Sequence, residues 1–379
     1  MVKETVLEIN LSALTHNYEV LRSQLDSDTK FLAVVKASTY GHAPCSVIDK
    51  LDALGVDYYG VAYASEGAEI RSMGTKKPIL LLHPLPVHFN NIVASKLEPS
   101  IYSVELLREW IKYLESKNFK KYPIHLKFNS GLNRLGVTEN DLNDIVELIS
   151  NTDSIRVLSI FSHLAASDDP NQNAFTYKQK KRYDDFYEAF VQKMTLISKK
   201  MGLPNLLETK PWRHLLNTSG VFNYPEAQYN MVRCGIGLYG YGNAPDKDAL
   251  LKPIAQLKAP VVQLHHLTKG ESVGYNRAYI IEKSSVIATL PLGHADGLSR
   301  IYGQKKGFVW IKGQKAPIVG NVCMDMIMVD VTDIDCAVGD FALIFDVEHG
   351  AQHLAEAAGT ISYELLTGLS RRIKRVIVQ

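Results

Sequence analysis

The chain has 379 residues, 46% hydrophobic and 22% charged, enough for two sizeable cores and ordinary for a globular protein. Its 42 basic residues against 40 acidic ones give a formal charge of +2, without the basic footprint of a nucleic-acid binder. Cys45, Cys234, Cys323 and Cys336 show no CxxC or metal spacing, no stretch approaches the roughly 20 apolar residues of a membrane span, and the N-terminus lacks a signal peptide's apolar core, so a cytoplasmic protein with reduced thiols is expected.

Along the chain, the first strong element is the uninterrupted apolar run Phe31 to Val35 in FLAVVKASTYGHA, the pattern of a strand covered on both faces. Lys36 follows at once, although an ammonium group is among the least buriable side chains. Further strands are expected at 57–62, 79–82, 98–101, 123–128, 155–163, 214–217 and 232–238. Helical spacing is read at 45–54, 65–73, 103–116, 139–150 and 175–202, with Ser103 as a plausible N-cap. Eight strand–helix alternations predict a TIM (β/α)8 barrel over residues 1–243, the first ten or so being able to pair with the C-terminal β domain. From 244 to 379 the texture changes to short β-branched runs at 260–264, 285–290, 308–311, 316–319 and 326–331, punctuated by Gly, Pro and Asp. That predicts a mostly β C-terminal domain with one helix near 362–369.

In a TIM barrel the C-terminal ends of the strands carry the chemistry. Those ends hold Lys36, then Lys127 and Arg134 of KFNSGLNRLG, Ser162-His163, Asn217-Thr218-Ser219-Gly220, and Arg233-Cys-Gly-Ile-Gly. Singly, each has a plainer reading: Lys36 a solvated strand end, NTSG a turn, Gly235 and Gly237 packing positions, His163 a core histidine. Together they offer an imine-forming lysine, a hydroxyl- and glycine-rich phosphate cradle, and two arginines. That set points to pyridoxal 5′-phosphate.

These landmarks, with VGYNRAY, LPLGHADGLSR, GNVCMDMIMVDVT and ISYELLTGLSRR in order over nearly the whole chain, resemble the alanine racemase family. The resemblance implies a TIM barrel joined to a C-terminal β domain. It implies PLP-dependent interconversion of L- and D-alanine, supplying D-alanine for peptidoglycan, in a homodimer with shared sites. By that resemblance Lys36 carries the cofactor and acts as one base, and Tyr275 of the partner subunit acts as the other. Arg233 meets the pyridine nitrogen, His214 orients it, and His163 lines the site. Tyr40, Thr218, Tyr363 and the backbone N–H groups of Ser219, Gly235 and Ile236 hold the phosphate. Arg134 meets the substrate carboxylate or the phenolic oxygen of the cofactor, Met324 of the partner subunit completes the substrate pocket, and Lys127 matches a lysine that some members carbamylate.

Four positions depart from the family's usual residues: Asn129 for aspartate, Thr218 for serine, His294 for tyrosine and Asn321 for arginine. His294 and Asn321 fall at the substrate entrance, where Asp168 and Arg300 also match. A broad-specificity amino-acid racemase is the alternative reading. A non-catalytic PLP-homeostasis barrel is a further one, though that group has no β domain.

Overall fold

The computed structural model describes residues 4–202 and 206–378, in two compact units. One comprises Thr15–Ala37 and Ile48–Leu251; the other comprises the chain up to Leu14, Ser38–Val47 and the chain from Lys252 onward.

In the first unit eight parallel strands close a barrel among the described residues. With β1 (Val6–Asn10) lying in the other unit, they are β2 (Lys30–Val34), β3 (Tyr58–Val61), β4 (Ile79–Leu81), β5 (Glu98–Ile101), β6 (Tyr122–Lys127), β7 (Ile155–Phe161), β8 (Trp212–His214) and β9 (Met231–Cys234). Phe31, Leu32 and Ala33 are fully buried, as expected of a strand between two layers of side chains. Truncating Leu32 to alanine there would cost about 2–5 kcal/mol. Ser103 caps the helix Val104–Ser116, accepting from the Leu106 N–H at 3.1 Å.

Several expected boundaries need correction. Strand β8 ends at His214, before the expected 214–217. Leu215 and Leu216 are buried, but their carbonyls accept from the Arg233 side chain and backbone N–H, both at 3.0 Å. Strand β9 stops at Cys234 rather than 238; a 3-10 turn over Ile236–Tyr239 follows and closes at left-handed Gly240. The sequence reading also missed the helix Leu11–Arg22, which Asn10 caps through the Ala13 N–H at 2.8 Å.

The second unit carries a nine-stranded sheet among its described residues. Its later strands are β10 (Ala255–Pro260), β11 (Gln263–Leu267), β14 (Ser285–Leu290), β15 (Phe308–Ile311), β16 (Gln314–Val319), β17 (Ile327–Asp330), β18 (Phe341–Phe345) and β19 (Lys374–Val378), with β12 (Ser272–Val273) and β13 (Tyr279–Ile280) paired separately. Strand β1 lies between β10, antiparallel, and β19, parallel. The strand read at 260–264 is instead the junction of β10 and β11. Two helices, Ala351–Ala357 and Ser362–Thr367, stand where one was expected.

Candidate active site

Lys36 opens a single helical turn, Lys36–Gly41, directly beyond β2. The turn is left-handed: Ala37, Ser38, Thr39, Tyr40 and Gly41 have φ of 51, 53, 53, 56 and 83°. Residues with a Cβ resist this conformation by about 1–2 kcal/mol each, so other contacts must hold it. In the barrel unit, the Glu66 carboxylate accepts from the N–H groups of Ala37 (2.6 Å), Ala62 (2.7 Å) and Tyr63 (3.1 Å). In the β unit, Arg371 donates to Ser38 Oγ at 2.5 Å and Arg375 to Gly41 O at 2.9 Å. A Cβ on Gly41 would fall 2.1 Å from Leu366 O, so only glycine fits there.

Around Lys36 the barrel mouth is cationic. Burial and then Arg134 lower the Lys36 ammonium below its ordinary value, with Glu66 opposing. Lys127, at the end of β6 and only 6% exposed, falls to about 8 through burial, Arg134, Arg233 and Lys36. Every charge acting on it is positive. Arg134 itself is exposed on the loop after β6. In that loop the Asn129 side-chain oxygen accepts from the Gly131 and Asn133 N–H groups, at 3.2 and 3.0 Å, as a carboxylate would. Its amide nitrogen adds a bond to Asn133 Oδ1 at 3.0 Å.

Arg233 is 4% exposed. It donates from Nη1 to His214 Nδ1 at 2.8 Å, and from Nη2 to Ser162 O (2.6 Å), Leu215 O (3.0 Å) and His163 Nδ1 (3.2 Å). A guanidinium only donates, so both imidazole nitrogens must be unprotonated. Burial, then the Arg233 charge, pushes His163 and His214 well below the usual histidine range, which agrees with neutral rings.

Beyond β8 and β9, Thr218 Oγ1 accepts from the Gly235 and Gly237 N–H groups, each at 3.2 Å. A Cβ on Gly237 would meet Thr218 Cγ2 at 2.6 Å, so the two loops close tightly only with glycine there. Thr218, Ser219, Gly235 and Ile236 therefore cluster in the barrel unit, all buried. Asp168 is exposed on the loop after β7.

The remaining expected residues belong to the β unit. Tyr40 is buried, which raises its phenol above the usual range, and its ring is tilted 6.1 Å from that of Tyr363. Tyr275 and Met324 are 74% and 58% exposed and line one groove of about 670 Å3 with Cys323, Met326 and Met328. Gly274, Asn276 and Arg277 around Tyr275 have positive φ (73, 59 and 49°). Asn321 Nδ2 donates to Tyr275 O at 3.2 Å, and Asn321 Oδ1 accepts from Gln304 Nε2 at 3.4 Å. His294 is exposed; its backbone N–H donates to Cys323 O at 2.9 Å, beside Met324. Arg300 is exposed on the following turn.

Sequence reasoning missed Glu66, which follows the β3 strand by a few residues, and Gln179. The Gln179 side chain joins Ser130 Oγ (3.3 Å), His163 O (3.3 Å) and the Ala165 N–H (2.9 Å). A buried amide on a helix whose buried face is mostly aromatic and apolar is the signal that could have found it.

Comparison with known proteins bears on the family and the fold. A family model described as the alanine racemase N-terminal domain matches residues 9–243, and one described as the alanine racemase C-terminal domain matches 254–377. An alanine racemase of Clostridium novyi is 34% identical, over 98% of this chain and 95% of its own. The solved alanine racemase of Clostridium difficile 630 matches with a TM-score of 0.88 and 33% identity, covering 100% of this chain and 96% of its own. That of Bartonella henselae, described with covalently bound pyridoxal phosphate, matches at 0.87 and 27% identity, with all of both chains covered.

Proposed function

This chain belongs to the alanine racemase family, and from that premise we propose that it interconverts L- and D-alanine with pyridoxal 5′-phosphate bound at the barrel mouth. The observation that carries this reading is the Lys36 amine, held on a strained turn among cations and with its proton affinity lowered. Lys36 would attach the cofactor. The Thr218, Ser219, Gly235 and Ile236 cluster, with Tyr40 and Tyr363, would hold its phosphate. The fit is supported by the tight glycine closure at Gly237 and by the surplus of positive charge, which suits a dianion. Bound there, the cofactor supplies an electron sink that acidifies the α-C–H bond of an amino acid.

The chain's own groups would do the rest. A lysine near its ordinary value of about 10.4 is a poor proton acceptor at neutral pH, so the lowered Lys36 amine suits a base. Inversion needs a second proton-exchanging group on the opposite face of the α-carbon, and Tyr275 of the partner subunit is assigned that role. The exposure of Tyr275 and Met324 on one groove supports a homodimer in which a second copy covers them. Arg134 would meet the substrate carboxylate, since its fork geometry suits anionic oxygens. Arg233 would present a donor to the ring nitrogen, disfavouring a pyridinium and a long-lived carbanion. Asp168, His294, Arg300 and Asn321 would frame the entrance. Residues 1–243 are read as the cofactor-binding domain and 244–379 as the domain that completes the partner's site. No helix among the described residues is long and apolar enough to cross a membrane. A cytoplasmic role supplying D-alanine for peptidoglycan follows from the proposed activity.

The test is direct. Cofactor-loaded protein is incubated with a panel of L-amino acids, and the products are separated by chiral chromatography. D-alanine as the dominant product supports the reading. Equal rates on bulky side chains would make it a broad-specificity racemase, and no D-product despite bound cofactor would refute catalysis.

A further inference from the structure

Five consecutive barrel strands each contribute one polar side chain to a continuous hydrogen-bonded line through the barrel interior. Arg233 (β9) donates to His214 Nδ1 (β8) at 2.8 Å. His214 Nε2 lies 2.8 Å from Ser159 Oγ (β7), which lies 2.6 Å from His125 Nδ1 (β6). His125 Nε2 reaches Glu98 Oε2 (β5) at 2.8 Å. His125, Ser159 and His214 are completely buried. The barrel register makes the line: His125 is the cross-strand partner of Ser159, and His214 that of Phe161, whose ring stacks on the His214 imidazole at 4.7 Å.

Proton placement along this line reads the same from both ends, from Arg233 or from Glu98. Arg233 has only N–H groups to offer, so His214 Nδ1 accepts and its proton sits on Nε2. That Nε2–H donates to Ser159 Oγ, whose single hydrogen must then go to His125 Nδ1. His125 carries its own proton on Nε2 and gives that bond to Glu98, whose Oε2 accepts. The neighbouring Tyr58 phenol is raised above its usual range, first by burial and then by Glu98. Reversing any one hydrogen would place two donors face to face in a buried interior, where an unmade bond is costly.

We infer that Glu98, His125 and Ser159 are positioning residues that fix the His214 tautomer and thereby hold Arg233 as a donor aimed at the cofactor's ring nitrogen. The inference rests on the proposed role of Arg233, but the proton order along the line does not. Glu98 is the terminal acceptor that gives the line its direction, and Ser159 is the hinge that transmits it. Arg233's bonds occupy both Nη2 hydrogens and one on Nη1, leaving the Nε–H and the other Nη1–H for a ligand.

Histidine-selective 15N NMR on the full-length protein, with and without the cofactor, reads the tautomers directly. Both His125 and His214 are expected to carry their proton on Nε2 in either form. A proton on His214 Nδ1, or a doubly protonated His214, overturns the inference even if the protein is an active racemase. Transmission is tested by a cycle. In the otherwise unsubstituted protein, Glu98→Gln should shift the His214 nitrogen resonances and lower kcat on the order of tenfold, with KM little changed. Combined with Ser159→Ala, the same substitution should leave His214 unmoved, and Ser159→Thr should restore the response. Equal Glu98→Gln effects with and without Ser159→Ala would show that no line connects them. If any variant fails to fold, the tautomers of the unsubstituted protein still decide the matter.

Discussion

Asn321 Nδ2 donates to the backbone carbonyl of Tyr275 at 3.2 Å, so a residue standing where the family usually has arginine holds the main chain of the proposed second base. The segment needs holding, since its neighbours Asn276 and Arg277 both have positive φ. Removing the amide in Asn321→Ala should lower kcat about fivefold, the worth of roughly one hydrogen bond, with KM changed less. Steady-state kinetics checks this, and an unaltered kcat would deny Asn321 a positioning role.

Charge restored at the same position should act differently. An arginine at an entrance concentrates anionic substrate, an effect that fades with salt. Asn321→Arg should therefore change kcat/KM more at low ionic strength than at high. A salt-independent effect would argue against steering.

Lys36 should be the point of cofactor attachment. After borohydride reduction of the loaded protein, peptide mapping is expected to find the pyridoxyl label on the peptide containing Lys36. Label on Lys127 would overturn the assignment.

Lys127 carries its positive charge at a cost. Its ammonium falls from 10.5 to about 8 by burial and by the charges of Arg134, Arg233 and Lys36. Below about 8 the folded and unfolded chains are both charged there, and the folded state bears the whole penalty. As pH rises from about 8 towards 10.5 the folded state is neutral first, and this contribution to stability recovers. In buffer free of carbon dioxide, Lys127→Met should raise the melting temperature at about pH 7, and its advantage should shrink by about pH 10. A constant gap would contradict the buried cation. The same partly neutral amine suits addition to carbon dioxide, so with 13C-bicarbonate a carbamate carbonyl signal is expected that Lys127→Met lacks.

The barrel was legible because Phe31 to Val35 and the other short apolar runs recur between amphipathic stretches, a pattern that burial on both faces imposes. Strand β8 was misplaced because Leu215 and Leu216 are buried without being part of it, and hydropathy registers burial rather than hydrogen-bond pairing. Lys36, Arg233 and the glycines were legible as motifs, each local in sequence. Glu66 was not, because its work is to accept backbone N–H groups from two separate loops. Ser159 and His125 are far apart in sequence and meet only through barrel register, though each is a polar side chain inside an apolar strand, which was a readable signal. The left-handed turn after Lys36 was invisible for another reason: Ala, Ser, Thr and Tyr all disfavour it, and contacts from distant residues hold it.

The central claim is a two-base racemisation at a site shared between two copies, and mixed dimers test it most directly. Lys36→Ala and Tyr275→Phe should each be nearly inactive alone, since each removes one base. Co-expressed, they form mixed dimers in which one site lacks both bases and the other keeps the Lys36 of one chain and the Tyr275 of its partner. Alanine racemisation should therefore recover in the mixture to a fraction of the unsubstituted rate, in proportion to the mixed dimers counted by native mass spectrometry. Mixed dimers present in quantity with no recovered activity would contradict the shared site.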